Sequence, residues 1–111
     1  MLEYLFANKN LEKILMYLFL HGKANATELS RAFGTSLDPI QKTLRKLEEG
    51  GLLVSFLEGR TRVFQWNPRY PFLPEIQALA KRTYEFLPSH IQENCYQLTK
   101  RKRPRKTGKP L

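Results

Sequence analysis

With 111 residues, the chain has room for one small domain, a core of three or four helices with a small sheet, and this argues against an enzyme built around a deep two-layer cleft. Its net charge of +9 is unevenly spread: seven of the 19 Lys and Arg residues fall between positions 100 and 109, which leaves residues 1 to 99 near +2. Cys95 is the sole cysteine, so an intramolecular disulfide framework and a cysteine-cluster zinc centre are both excluded.

The longest apolar run, "ILMYLFL" at 14 to 20, is far short of the ~20 residues that cross a bilayer. Acidic Glu3 without a basic start argues against a secretory leader. The expected setting is the cytoplasm, with no membrane partner.

In "LEKILMYLFLHG", Leu11, Ile14, Leu15 and Leu18 share one helical face, with Asn10 as the expected cap and Gly22 past the end. Met16, Tyr17, Phe19 and Leu20 make the other faces apolar too, so this helix must be covered on both sides, by "MLEYLF" and the C-terminal helices or by a second subunit. "HGKAN" reads as a break. Asn25 and Glu28 then have the spacing of a capping box for a short helix that buries Leu29, Ala32 and Phe33 and ends at Gly34. Ser36 is the expected N-cap of a third helix, about 37 to 49, which tolerates Pro39 in its first turn. That helix buries Ile40, Leu44 and Leu47 and closes at Gly50 and Gly51.

"LLVSFLEGRTRVFQWN" is a hairpin signal around a Glu-Gly-Arg turn, with Phe64 and Trp66 on one face of the second strand and Val63 and Gln65 on the other. "NPRYPF" is a Pro-punctuated loop. "PEIQALAKRTYEFL" predicts a fourth helix with Ile76, Leu79, Ala80 and Thr83 on one stripe. Pro88 breaks it, and Ser89 with Gln92 can box-cap a last helix through Ile91, Cys95 and Leu98. From Lys100 onward no apolar residue occurs before Leu111, the composition of a disordered basic tail.

Helix, short helix, tight turn, helix and hairpin follow one another as in a winged helix-turn-helix. The stretch "ATELSRAFGTSLDPIQKTLRKLEEGGLLVSFLEGRTRVFQWNP" resembles that family, and within it the small ArsR-like and MarR-like bacterial and archaeal regulators. The opening "LFANKNLEKILMYLFLHG" is also similar to the first helix of winged helix domains associated with nucleotidyltransferases. The resemblance covers roughly residues 5 to 87. It implies a mainly α fold with a small β-hairpin wing (α+β), a three-helix core plus wing plus C-terminal helices. Residues 1 to 72 would form the DNA-binding domain, 73 to 99 the helices for packing or dimerisation, and 100 to 111 the tail.

The chemistry of the third helix agrees with such a role. A helix of this length fits the major groove of B-DNA, where base edges present distinct donor and acceptor patterns. With Ile40, Leu44 and Leu47 inward, the outward face carries Asp38, Gln41, Lys42 and Arg45 as candidate base-reading residues. Gln pairs bidentately with adenine and Arg with guanine; Asp38 can accept from cytosine or simply favour the helix N-terminus. Thr35, Ser36 and Lys46 are candidates for phosphate. Arg60 and Arg62 at the hairpin tip would meet the backbone or minor groove, or serve only to guard an exposed edge. Glu48, Glu49 and Glu58 should point away from phosphate. Lys100, Arg101, Lys102, Arg103, Arg105, Lys106 and Lys109 form a non-specific cationic tail.

His21, His90 and Cys95 share no metal-ligand spacing, and the cysteines that ArsR-like metal sensors carry near their DNA-reading helices are replaced here. No metal site and no cofactor are expected. No Ser-His-Asp set, catalytic carboxylate pair or glycine-rich phosphate loop can be assembled, so the expected class is not an enzyme. The aromatics Phe64, Trp66, Tyr70, Phe72, Tyr84 and Phe86 suit core or dimer packing better than base stacking. The expected function is sequence-specific binding of double-stranded DNA by a homodimeric transcriptional regulator. The alternative is a protein-interaction winged helix, an antitoxin-like partner of a nucleotidyltransferase, with DNA binding secondary. RNA binding through the tail is a weaker third reading.

Overall fold

The computed structural model describes residues 6 to 93. Within them the order is α1 (Lys9–His21), β1 (Lys23–Asn25), α2 (Ala26–Phe33), α3 (Leu37–Glu49), β2 (Leu53–Glu58), β3 (Thr61–Trp66), α4 (Leu73–Glu85) and a single turn, α5 (Ser89–Ile91). The basic stretch 100 to 109, Cys95 and Leu98 lie outside the described residues.

Helix α1 is the centre of the molecule. Ile14, Leu15, Met16, Tyr17 and Leu18 are all buried in succession, which a helix can achieve only when neighbours cover it on several sides. Here α4, α3, α2 and β1 of the same chain do so. Tyr17 is fully buried, and Phe19 packs against the same core. Tyr17 is thus covered within the chain, whereas Phe19 is half-buried and Leu20 is exposed. The cap also differs from expectation. Asn8, in extended backbone, accepts from the N–H groups of Asn10 and Leu11 at 2.9 and 3.2 Å, so Asn10 already lies inside the first turn.

"HGKAN" is more than a break. Lys23–Asn25 pairs antiparallel with β3, Ala24 opposite Phe64, to give a three-stranded sheet in the order β1-β3-β2. Strands β2 and β3 pair from Leu53↔Trp66 to Glu58↔Thr61. Gly59 (φ +66°) and Arg60 make the two-residue connection, with glycine at the first central position, where the strand twist demands positive φ. Phe64 and Trp66 share the face that carries Ala24, Leu53 and Ser55, and the Trp66 Nε1–H donates to the Leu18 carbonyl at 3.2 Å, tying the hairpin base to α1.

Helix α2 has the expected capping box: Asn25 Oδ1 accepts from the Glu28 N–H at 2.8 Å, and Glu28 Oε1 accepts from the Asn25 N–H at 2.9 Å. The second carboxylate oxygen of Glu28 accepts from the Tyr17 hydroxyl at 2.9 Å. One carboxylate thus joins the start of α2 to the centre of α1. Tyr17→Phe should lower the unfolding free energy by about 1.5 to 3 kcal/mol, the range for a hydrogen bond to a charged group, with an unchanged urea slope. A midpoint equal to that of the parent would remove this bond from the account of stability.

Helix α4 packs on α1. Ala80 and Thr83 are buried, with Ile76 and Leu79 half-buried beside them. Ser89 does not cap the last helix: Pro88 occupies the N-cap position, and no side chain caps α5. Instead the Gln92 amide reaches back and donates to the Tyr84 carbonyl at 2.8 Å. Among the described residues no helix is long and apolar enough to cross a membrane.

Candidate nucleic-acid interface

The site begins at the turn between α2 and α3. Gly34 adopts a left-handed conformation (φ +62°), open to glycine without strain, and the Thr35 N–H donates to the Ser30 carbonyl at 3.1 Å. The Ser30 hydroxyl donates in turn to the Thr35 carbonyl, so α3 leaves α2 at a set angle. The Thr35 hydroxyl turns back on the Phe33 carbonyl at 3.4 Å. Ser36 holds the N-cap position of α3, yet its side chain makes no capping bond and is exposed. Of the two, Ser36 is the more exposed.

Helix α3 has two distinct sides. Ile40 and Leu44 are fully buried, Leu47 is half-buried, and Thr43 joins them. The Thr43 hydroxyl donates to the Pro39 carbonyl at 3.0 Å and accepts from the Asn8 amide at 3.4 Å. Asp38, Gln41, Lys42, Arg45 and Lys46 are all exposed. Asp38 and Lys42 form an i,i+4 ion pair at 3.3 Å with both side chains about 70% exposed. Their charges offset one another, whereas among the described residues Arg45 has no carboxylate within ion-pair distance. An exposed pair of this kind is worth at most about 1 kcal/mol, so a stronger partner can open it.

The hairpin leans over this face. Gln41 and Arg45 line an open cleft of about 460 Å³ together with Arg60, Thr61, Arg62 and Phe64 from the hairpin and Asn25, Ala26 and Thr27 from the start of α2. Three guanidinium groups from two elements therefore border one concavity. A second groove, on the opposite flank of α3, brings Lys42, Arg45 and Lys46 beside Asn8, Asn10 and Glu49, so Glu49, expected to stand away from the phosphate-binding side, borders the same groove as three cations. Arg45 borders both.

Arg62 is held by a bridge that sequence patterning did not anticipate. Its guanidinium donates to the Ser55 hydroxyl at 3.0 Å, and that hydroxyl donates to Glu48 Oε2 at 2.6 Å. Glu48 therefore faces the junction of α3 and β2. Strand alternation places Ser55 on the Phe64 face, but only the pairing Ser55↔Phe64 and Leu57↔Arg62 brings it beside Arg62. Elsewhere, Glu58 is paired with Lys23 at 3.1 Å on the other face of the sheet. Among the described residues no three His, Cys, Asp or Glu side chains come together as a metal site. His21 stacks on Tyr17, with ring centroids 4.3 Å apart.

No protein-family model matches the chain, and no curated protein sequence matches it. Among solved structures it is similar to the adhesin competence repressor AdcR from Streptococcus pyogenes, with a TM-score of 0.53 over 83% of this chain and 80% of that one. The fold is a winged helix. At 14% identity the likeness is one of fold: the β2–β3 hairpin is its wing, and α2 and α3 its helix-turn-helix. The winged helix presents the outward face of α3 and the inner side of the wing to the same cleft.

Proposed function

We propose that this winged helix is a sequence-specific double-stranded DNA-binding protein, a transcriptional regulator of the ArsR-like or MarR-like kind. The carrying observation is the convergence of Gln41 and Arg45 on α3 with Arg60 and Arg62 on the wing around one open cleft. A solvated helix face has no need of a facing arm of the same charge; a duplex does, because a helix in the major groove lies between two phosphate strands. In this reading Gln41 and Arg45, with Asp38 and Lys42 beside them, read base edges. Ser36, Thr35 and Lys46 contact phosphate, and the wing, residues 53 to 67, lies on the backbone or in the minor groove. The seven cations between 100 and 109 add contacts that do not choose sequence. The fold likeness to a protein named as a repressor supports this reading.

Selection from random duplexes tests it: an enriched short motif is expected. On that motif, Gln41→Ala and Arg45→Ala should each relax preference at one base pair by about 1 to 3 kcal/mol. Arg60→Ala and Arg62→Ala should weaken cognate and random duplexes alike. Absence of any enriched motif would count against the function. Equal losses on both kinds of duplex for all four variants would refute the division of roles.

A further inference from the structure

Helix α3 opens on an apolar residue that the core does not enclose. By spacing, Leu37 stands one turn before Ile40 and Leu44 and should share their stripe, yet it is 39% exposed while those two are fully buried. Its covered part seats it on the domain, and its free part is left at the edge beside Gln41. Leu37, Gln41 and Arg45, all exposed, follow one another at steps of four and so form a single row along α3. Ser36 just before this row makes no capping bond, and Asp38 just after its first member is engaged by Lys42. In a helix-turn-helix the first residues of the second helix are the ones brought to the base edges. Leu37 is the first residue of that helix. Single exposed leucines are ordinary on a protein surface; one at the leading end of a helix, in line with two side chains assigned to base edges, has a specific complement.

The apolar feature of the major groove is the 5-methyl group of a pyrimidine, which stands beside the hydrogen-bonding edges that Gln and Arg recognise. Resting on the DNA-binding reading above, we propose that Leu37 is a specificity-determining residue that selects a 5-methylpyrimidine in the bound duplex. Thymine and 5-methylcytosine both carry that group. Successive members of the row lie about 6 Å apart along the helix axis, so the base pairs they meet follow the order of the residues: the methyl first, then the pair read by Gln41, then the pair read by Arg45. Phosphate is a poorer partner for Leu37, because an alkyl side chain offers it no hydrogen bond and displaces the water that does. The wing carries an exposed leucine as well, Leu57 at 60%, paired opposite Arg62. In the same reading the wing lies on the backbone or in the minor groove, where no pyrimidine methyl is displayed. Of the two leucines, Leu37 is the one on the major-groove side.

Duplexes that carry the enriched motif and differ by one methyl group test this, with affinities of the full chain read by fluorescence anisotropy. At each pyrimidine of the motif, thymine is compared with uracil opposite adenine, and 5-methylcytosine with cytosine opposite guanine. One position is expected where removing the methyl from the tighter-binding pair weakens the parent about threefold to fivefold, the effect of withdrawing one methyl from apolar contact. That pair, thymine or 5-methylcytosine, identifies the source of the group. The position should lie beyond the base pair relaxed by Gln41→Ala, on the side away from the pair relaxed by Arg45→Ala. Leu37→Ala should bind the methylated and unmethylated duplexes equally, Leu37→Met should keep the preference, and Leu57→Ala should leave it unchanged. Leu37 is exposed, so far-UV circular dichroism should match the parent; for a Leu37→Ala chain that loses its helical signal, Leu37→Gln takes its place with the same loss of preference expected. A motif with no methyl-sensitive position, a methyl effect that survives Leu37→Ala, one lost in Leu57→Ala instead, or one on the Arg45 side overturns the proposal and leaves the DNA-binding reading standing. Absence of any enriched motif overturns both.

Discussion

Removal of residues 100 to 111 should flatten the dependence of binding affinity on salt by a few logarithmic units and weaken binding to every duplex. The seven cations in this stretch, Lys100, Arg101, Lys102, Arg103, Arg105, Lys106 and Lys109, outweigh the excess positive charge of all the preceding residues together. Each phosphate neutralised contributes roughly 0.9 to the slope of log K against log salt through the counterions it releases. If about three of the seven reach phosphate at once, the slope falls by about 2.7, and affinity near 0.1 M salt falls on the order of 10²- to 10³-fold. The ratio of cognate to random affinity should stay nearly constant, because phosphate contacts carry no base information. Fluorescence anisotropy over a series of salt concentrations, on the motif and on a scrambled duplex, measures both quantities. A truncated chain with the parent slope would make the stretch a solubility feature, and the anchoring role would be lost.

Local signals made much of this molecule legible in its sequence. The end of α3 follows from the Gly50–Gly51 pair, and its start falls after Ser36 although that side chain makes no capping bond; the capping box follows from the Asn25 to Glu28 interval and the hairpin connection from Gly59. Each depends on residues within one or two turns of each other, where backbone preference and side-chain reach decide the outcome. The inward stripe Ile40, Leu44 and Leu47 was readable for the same reason, and with it the exposure of Gln41 and Arg45. Features set by distant partners were not. Lys23–Asn25 has no β-branched residue and becomes a strand only because β3 supplies its ladder. Tyr17 looked like surplus apolar surface because nothing near it in sequence announces that Glu28 takes its hydroxyl. Asn8 and Asn10 are equally good caps by residue type, and the choice between them rests on tertiary position: Asn8 also bonds Thr43 of α3. The bridge from Arg62 through Ser55 to Glu48 needs the hairpin register and the packing of α3 on β2 at once.

These long-range contacts have a common consequence for the proposed interface. Asn8 fixes α1 to α3, Ser30 and Thr35 fix α2 to α3, and Glu48 with Ser55 fixes α3 to the wing. Side chains that meet a ligand together must be held to about half an ångström by the elements beneath them. The cleft residues are carried on such elements, and the apolar seat of α3 is what keeps the elements in place.

Leu44→Ala should therefore have the largest effect on stability of any substitution considered. Leu44 is fully buried in the cluster that includes Ile14, Leu18, Leu29, Ile40 and Leu53, and α3 packs there on α1, α2 and β2. Truncation removes the transfer free energy of three carbon atoms and leaves a cavity, a combination that costs about 2 to 5 kcal/mol at buried leucines. That is a large part of the roughly 5 to 15 kcal/mol by which a domain is stable. Leu44 adjoins Arg45 and lies one turn from Gln41, so relaxation into the cavity would move the reading face itself. Two measurements distinguish these levels. Urea unfolding should give a midpoint lowered in proportion to the loss, with Leu44→Met, which nearly conserves volume, costing less than about 1.5 kcal/mol. Binding to the enriched motif, measured where the variant remains folded, should fall more than binding to random duplex, because a shifted α3 loses base contacts before it loses charge. A folded Leu44→Ala protein with the parent's motif preference would mean that the wing and the α2–α3 turn alone hold the reading face in place.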